Sequence, residues 1–125
     1  MMSCLIFLYL FLISVVSPRP NIVVMLADDL GWRDVSWHDD KIKTPSLQHL
    51  ADTGVILNQS YFHPKCSPSR AALLTGYYPH RLGLQRCGVG RFHAYGLDTK
   101  YQILPQYLQQ AGYHSHLVGK WHLGR

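Results

Sequence analysis

Cys66, Ser67, Pro68, Ser69 and Arg70 are the residues of this 125-residue chain whose types and spacing best suit chemistry. They run directly into Ala71, Ala72, Leu73, Leu74, Thr75 and Gly76, a helix that the pattern starts near Pro68 and stops at the glycine. Ser67 would cap that helix and set Cys66 beside an N-terminus whose free amides and dipole favour negative charge. Arg70, one turn in, can hold an oxyanion there. Such a thiol can become a nucleophile. It can equally pair with Cys87, the ordinary fate of two cysteines in an oxidising compartment.

Two further groups could serve the same chemistry. Asp28 and Asp29 follow the apolar run Asn21 to Leu26. Adjacent carboxylates repel, and a hard divalent cation such as calcium or magnesium relieves that cost, as does simple solvation in a loop. Lys120 and His122 lie two apart in Gly119 to Gly124, so on an extended segment both project from one face and can share an anion, with Trp121 on the other side. A basic surface pair has the same pattern. His114 and His116 alternate along a predicted strand, where packing or surface roles compete with metal binding. Asn58, Gln59 and Ser60 form a glycosylation sequon, but in a predicted strand.

Elements that position these residues can be read from periodicity and punctuation. Asn21 to Leu26 has the continuous β-branched character of a strand buried on both faces. Thr44 and Pro45 start a helix with Leu47, Leu50 and Ala51 on its apolar face, and Gly54 ends it. Val55 to Phe62 is a second strand, Pro105 to Ala111 a helix closed by Gly112, and Tyr113 to Val118 a third strand. Arg86 to Lys100, rich in Gly and aromatics without a clear period, reads as a surface loop. Alternation of strands and helices predicts an α/β domain with a largely parallel sheet, whose ligands gather beyond the carboxyl ends of the strands. Asp28, Asp29, Cys66 and the residues after Val118 fall at such ends.

Length and charge set limits. One small domain is the ceiling, burying roughly two thirds of its unfolded surface. Twelve Lys and Arg against seven Asp, with no Glu, give a net charge of +5 and favour anionic partners. The cations form no stripe or run, which argues against nucleic acid. Residues 1–17 read as a secretory signal peptide, since the apolar stretch from Leu5 to Val16 is shorter than the roughly 20 residues of a membrane span. Its removal takes Cys4 and leaves Cys66 and Cys87.

With these residues in place, the chain resembles the sulfatase family, and within it the arylsulfatase B-type enzymes. The likeness runs through PNIVVMLADDLGW at 20–32, TPSLQHLADTGV at 44–55, CSPSRAALLTG at 66–76 and GYHSHLVGKWHLG at 112–124. It implies an alkaline-phosphatase-like α/β sandwich and oxidation of Cys66 to formylglycine by the formylglycine-generating enzyme. By that resemblance one hydroxyl of the hydrated aldehyde would attack sulfur and the alcohol would leave, a bound calcium would stabilise the sulfate oxygens, and the second hydroxyl would then lose its proton and expel sulfate. Carried over by position, Asp28, Asp29 and the modified Cys66 match metal ligands. Arg70 matches the arginine that anchors the modified residue, Lys120 the lysine at the sulfate, and His122 the histidine that orients or deprotonates the diol.

The family's later Asp, Asn, His and Lys positions have no counterpart before Arg125. Residues 18–125 are therefore expected to be the N-terminal part of a sulfatase catalytic domain, inactive alone. The substrate implied is a sulfated small molecule or glycan, met in the lysosome or outside the cell. A secreted, non-catalytic module that binds sulfated glycans is the alternative from a different class. A phosphomonoesterase of the same wider superfamily would want Ser or Thr at position 66.

Overall fold

The helix that begins at Cys66 organises what surrounds it. The computed structural model describes residues 19–85, 88–90 and 93–124. The predicted signal peptide and Cys87 lie outside these residues. The chain divides into two units, Met1–Leu30 and Gly31–Arg125. Among the described residues no helix is long and apolar enough to cross a membrane.

In the second unit, α1 spans Pro45–Thr53, α2 Cys66–Thr75 and α3 Leu104–Gln110, with a 3-10 turn at Pro79–Leu82. α2 packs against both the 3-10 turn and α3. Its buried residues Ser67, Ala71 and Thr75 recur every fourth position, with Pro68 beside the first, so one face turns inward. Ala71 joins Leu84, Val89 and Leu123 in the core, and Leu74, Leu82 and Leu97 pack around them.

Proline and glycine set the helix limits much as the sequence predicts. Pro45 occupies the first turn of α1. The Thr44 side chain does not cap it. Its Oγ1 accepts the Ser36 backbone N–H at 3.0 Å and lies 2.9 Å from Ser36 Oγ, which also donates to Gln48 Oε1. α3 starts with the Gln106 side chain accepting the Ile103 N–H at 2.8 Å. It ends with Gly112 at φ 80, whose N–H reaches Gln109 O while that of Tyr113 reaches Leu108 O. These two bonds satisfy carbonyls that the helix end would otherwise leave open.

The predicted sheet is not seen among the described residues, which contain no strand. In the first unit Val23 is 80% and Met25 73% exposed, and in the second Val118 is fully exposed. A strand exists only through hydrogen bonds to a neighbour, and none of these segments has a laddered partner among the described residues. Their β-branched composition therefore expresses a demand for burial that goes unmet. Asn58 and Gln59, predicted within a strand, form an exposed turn.

Candidate active site around Cys66

Cys66 is the first residue of α2, after Lys65 in extended conformation, and not a residue preceding the helix. Pro68 fits inside the first turn because the N–H it lacks has no intrahelical acceptor there. Ser67 is not the cap either. It is fully buried, and its Oγ accepts the Val89 N–H at 2.9 Å, tying the 88–90 segment to the helix start. Ser69 supplies a second anchor through its hydroxyl, which donates to His63 O. Cys66 is a partly exposed free thiol.

The helix meets the segment carrying Lys120 and His122. Arg70 Nη1 donates to the backbone carbonyl of Lys120 at 2.7 Å, across fifty residues. Gly88 joins the other two residues: a Cβ there would lie 3.8 Å from both Cys66 Sγ and His122 Cε1. Thiol and imidazole therefore border one space. His122 Nδ1 is buried without a hydrogen-bond partner among the described residues.

The segment is not the regular extended strand that the two-residue spacing suggests. Gly119 has φ 115 and His122 φ 58, so strict alternation fails. Histidine tolerates the left-handed region better than most side chains. What fixes the turn is the next residue, since Leu123 is 2% exposed in the core and its carbonyl accepts the Leu97 N–H at 2.8 Å. Gly96 permits this approach: a Cβ there would stand 2.4 Å from Leu123 O. The stretch read as a surface loop thus contributes Val89 and Leu97 to the interior. Gly88 and Gly96 carry no sequence signal beyond the density of glycines in their region, because their partners lie far along the chain.

Asp28 and Asp29 belong to the first unit, where both are exposed and Asp29 takes φ 56. Their oxygen donors fit calcium in kind, but two adjacent residues fall short of its six to eight ligands. Among the described residues no three His, Cys, Asp or Glu side chains form a group able to hold a metal. His114 and His116 instead line a surface depression of about 410 Å³ with Pro105, Gln106, Gln109 and Tyr113.

A cysteine at a helix start, with an arginine clasping a Lys-Trp-His segment, defines a site suited to an anionic group. The family model described as Sulfatase matches residues 20–125. The chain belongs to the sulfatase family. It is 44% identical to mouse (Mus musculus) arylsulfatase J over 106 residues, covering 85% of this chain and 18% of that protein. Human (Homo sapiens) N-acetylgalactosamine-6-sulfatase is 42% identical over 114 residues, with 84% and 22% covered. Human steryl-sulfatase is 43% identical over 129 residues, with 94% and 22% covered. The chain spans about a fifth of the length of these relatives.

Proposed function

We propose that the chain carries part of the machinery of a sulfuric ester hydrolase, with Cys66 as the precursor of formylglycine. The observation that carries this reading is the Arg70 bond to Lys120 O, which brings the CSPSR helix and the GKWHLG segment together. Family membership supports it independently.

In this reading Arg70 pins the 119–124 segment and keeps a cation one turn beyond Cys66. Lys120 adds a second positive charge for the sulfate oxygens. His122, whose ring borders the same space as the Cys66 side chain, holds or moves a proton at the atoms that residue 66 bears. An aldehyde at position 66 would supply an electrophilic carbon able to carry oxygen nucleophiles, which a thiol does not. Asp28 and Asp29 are proposed as two ligands of a calcium ion, to which their oxygen donors are suited. The substrate is a sulfated small molecule or glycan, the maturing partner the formylglycine-generating enzyme, and the setting the secretory pathway, lysosome or cell exterior. In the family's α/β sandwich the apolar runs 21–26, 55–62 and 113–118 would be strands.

Expression of the full chain through a eukaryotic secretory pathway tests this. Mass spectrometry of the tryptic peptide Cys66–Arg70 should show the thiol replaced by an aldehyde. Recovery of only unmodified or disulfide-bonded Cys66 overturns the reading.

A further inference from the structure

Among the described residues, neither backbone conformation nor crowding explains why Gly88 lacks a side chain. Of the ten glycines, Gly76, Gly83, Gly112, Gly119 and Gly124 have positive φ. At Gly31, Gly54, Gly90 and Gly96 a Cβ would come within 2.4 to 3.2 Å of another atom. At Gly88 neither holds. Its backbone lies outside the left-handed region, and a Cβ would meet Ser67 Oγ at 3.4 Å and Cys66 Sγ and His122 Cε1 at 3.8 Å. These are ordinary contact distances, so an L-residue is sterically possible. What glycine provides is the space itself, bordered among the described residues by thiol, imidazole and a buried hydroxyl.

The position cannot readily retreat from that space. Val89, next in the chain, is 4% exposed, and its N–H is held by Ser67 Oγ at 2.9 Å. A side chain added at position 88 would therefore stay between Cys66 and His122. The His122 ring carries a buried nitrogen without a partner among the described residues, a group that a polar ligand can satisfy.

We propose that Gly88 is a specificity-determining residue, whose missing side chain keeps the approach between Cys66 and His122 open to a tetrahedral oxyanion head group such as that of a sulfate ester. The proposal rests on the sulfatase reading above, and its test reads the thiol directly.

In a Cys4→Ser, Cys87→Ser background made without the modifying enzyme, Cys66 is the only thiol. Its alkylation by iodoacetamide and by the bulkier N-ethylmaleimide is followed by mass spectrometry for the parent, Gly88→Ala and Gly88→Val. The expected result is graded: Gly88→Ala slows the maleimide, and Gly88→Val slows both reagents, by roughly tenfold for the larger one. Unfolding would have the opposite sign, exposing Cys66 and speeding alkylation with loss of the helical circular dichroism signal. Should Gly88→Val unfold, Gly88→Ala decides. Equal rates in folded variants and parent overturn the role of Gly88 whether or not the aldehyde forms. Absence of the aldehyde in the separate peptide assay removes the premise even if alkylation is graded.

Discussion

The Arg70 guanidinium and the Lys120 backbone carbonyl, 2.7 Å apart, join the first turns of α2 to a segment fifty residues later. The acceptor is main chain, so the bond positions the 119–124 segment without using the Lys120 side chain. An arginine can make such a bond and still present other N–H donors, because its planar fork carries five.

Replacing Arg70 with Ala should therefore loosen the segment before it harms the helix. The bond is exposed, and its net contribution is about 1 kcal/mol. Hydrogen exchange of a peptide covering 117–124 should become about fivefold faster, with little change across 66–75. Equal acceleration in both would mean that the arginine supports the unit generally and not this junction.

Ser67→Ala should cost more than its single lost hydroxyl suggests. The Val89 N–H that it accepts is buried, and removal of Oγ strands that donor in the interior. An unsatisfied buried amide costs about 1–3 kcal/mol, and a lower urea midpoint at unchanged slope is the expected readout. Ser69→Ala is the contrast. Its hydroxyl donates to His63 O at a partly buried site where water can substitute, so about 1 kcal/mol or less is expected.

These contacts show where sequence reasoning reached and where it stopped. Pro45, Pro105 and Gly112 announced their helix ends because capping chemistry is local. Cys66, Arg70, Lys120 and His122 were legible as residue types in recognisable motifs. That Arg70 binds the Lys120 carbonyl was not, since every residue has a carbonyl and none signals its partner. Ser67 was misread for a related reason: a serine beside a proline at a helix start looks like a cap, and only its burial against Val89 reveals another role. The runs around Val23 and Val118 advertise a wish to be buried, but periodicity names no neighbour, and here the described residues supply none.

The exposed pair Asp98 and Lys100 gives a pH dependence with a definite sign. Asp98 lies below the usual carboxylate range, first because it accepts the Lys100 N–H at 2.9 Å and then because of the ammonium 3.1 Å away. Lys100 is raised in turn, chiefly by its bond to that carboxylate. A depressed acid stabilises above its unfolded value and loses that stabilisation as pH falls through the folded one. A raised base stabilises below its unfolded value and loses it as pH rises through the folded one. Asp98→Asn should thus lower the melting temperature slightly near pH 6, and the difference should shrink as the pH falls through the lowered folded value of the carboxyl. A constant difference across that range would show that the charge is irrelevant and only the amide contact matters.

Gly96→Ala should be the most damaging small substitution near the site. A Cβ at that position would stand 2.4 Å from Leu123 O and 2.9 Å from Gly124 Cα, and both obstacles are backbone. Neither can rotate away as a side chain would, so one of the two strands of chain must move. Moving residues 96–97 breaks the Leu97 to Leu123 bond, while moving 123–124 withdraws Leu123 from the core. Overpacking of this kind typically costs 1–3 kcal/mol, and with the bond included about 2–4 kcal/mol is expected. Because His122 immediately precedes Leu123, the substitution should also shift and broaden the His122 ring resonances in a proton NMR spectrum. Gly88→Ala, which among the described residues meets only ordinary contacts, should leave the melting temperature nearly intact. If both substitutions proved equally mild, the close backbone approach at Gly96 would not be what fixes the turn at His122.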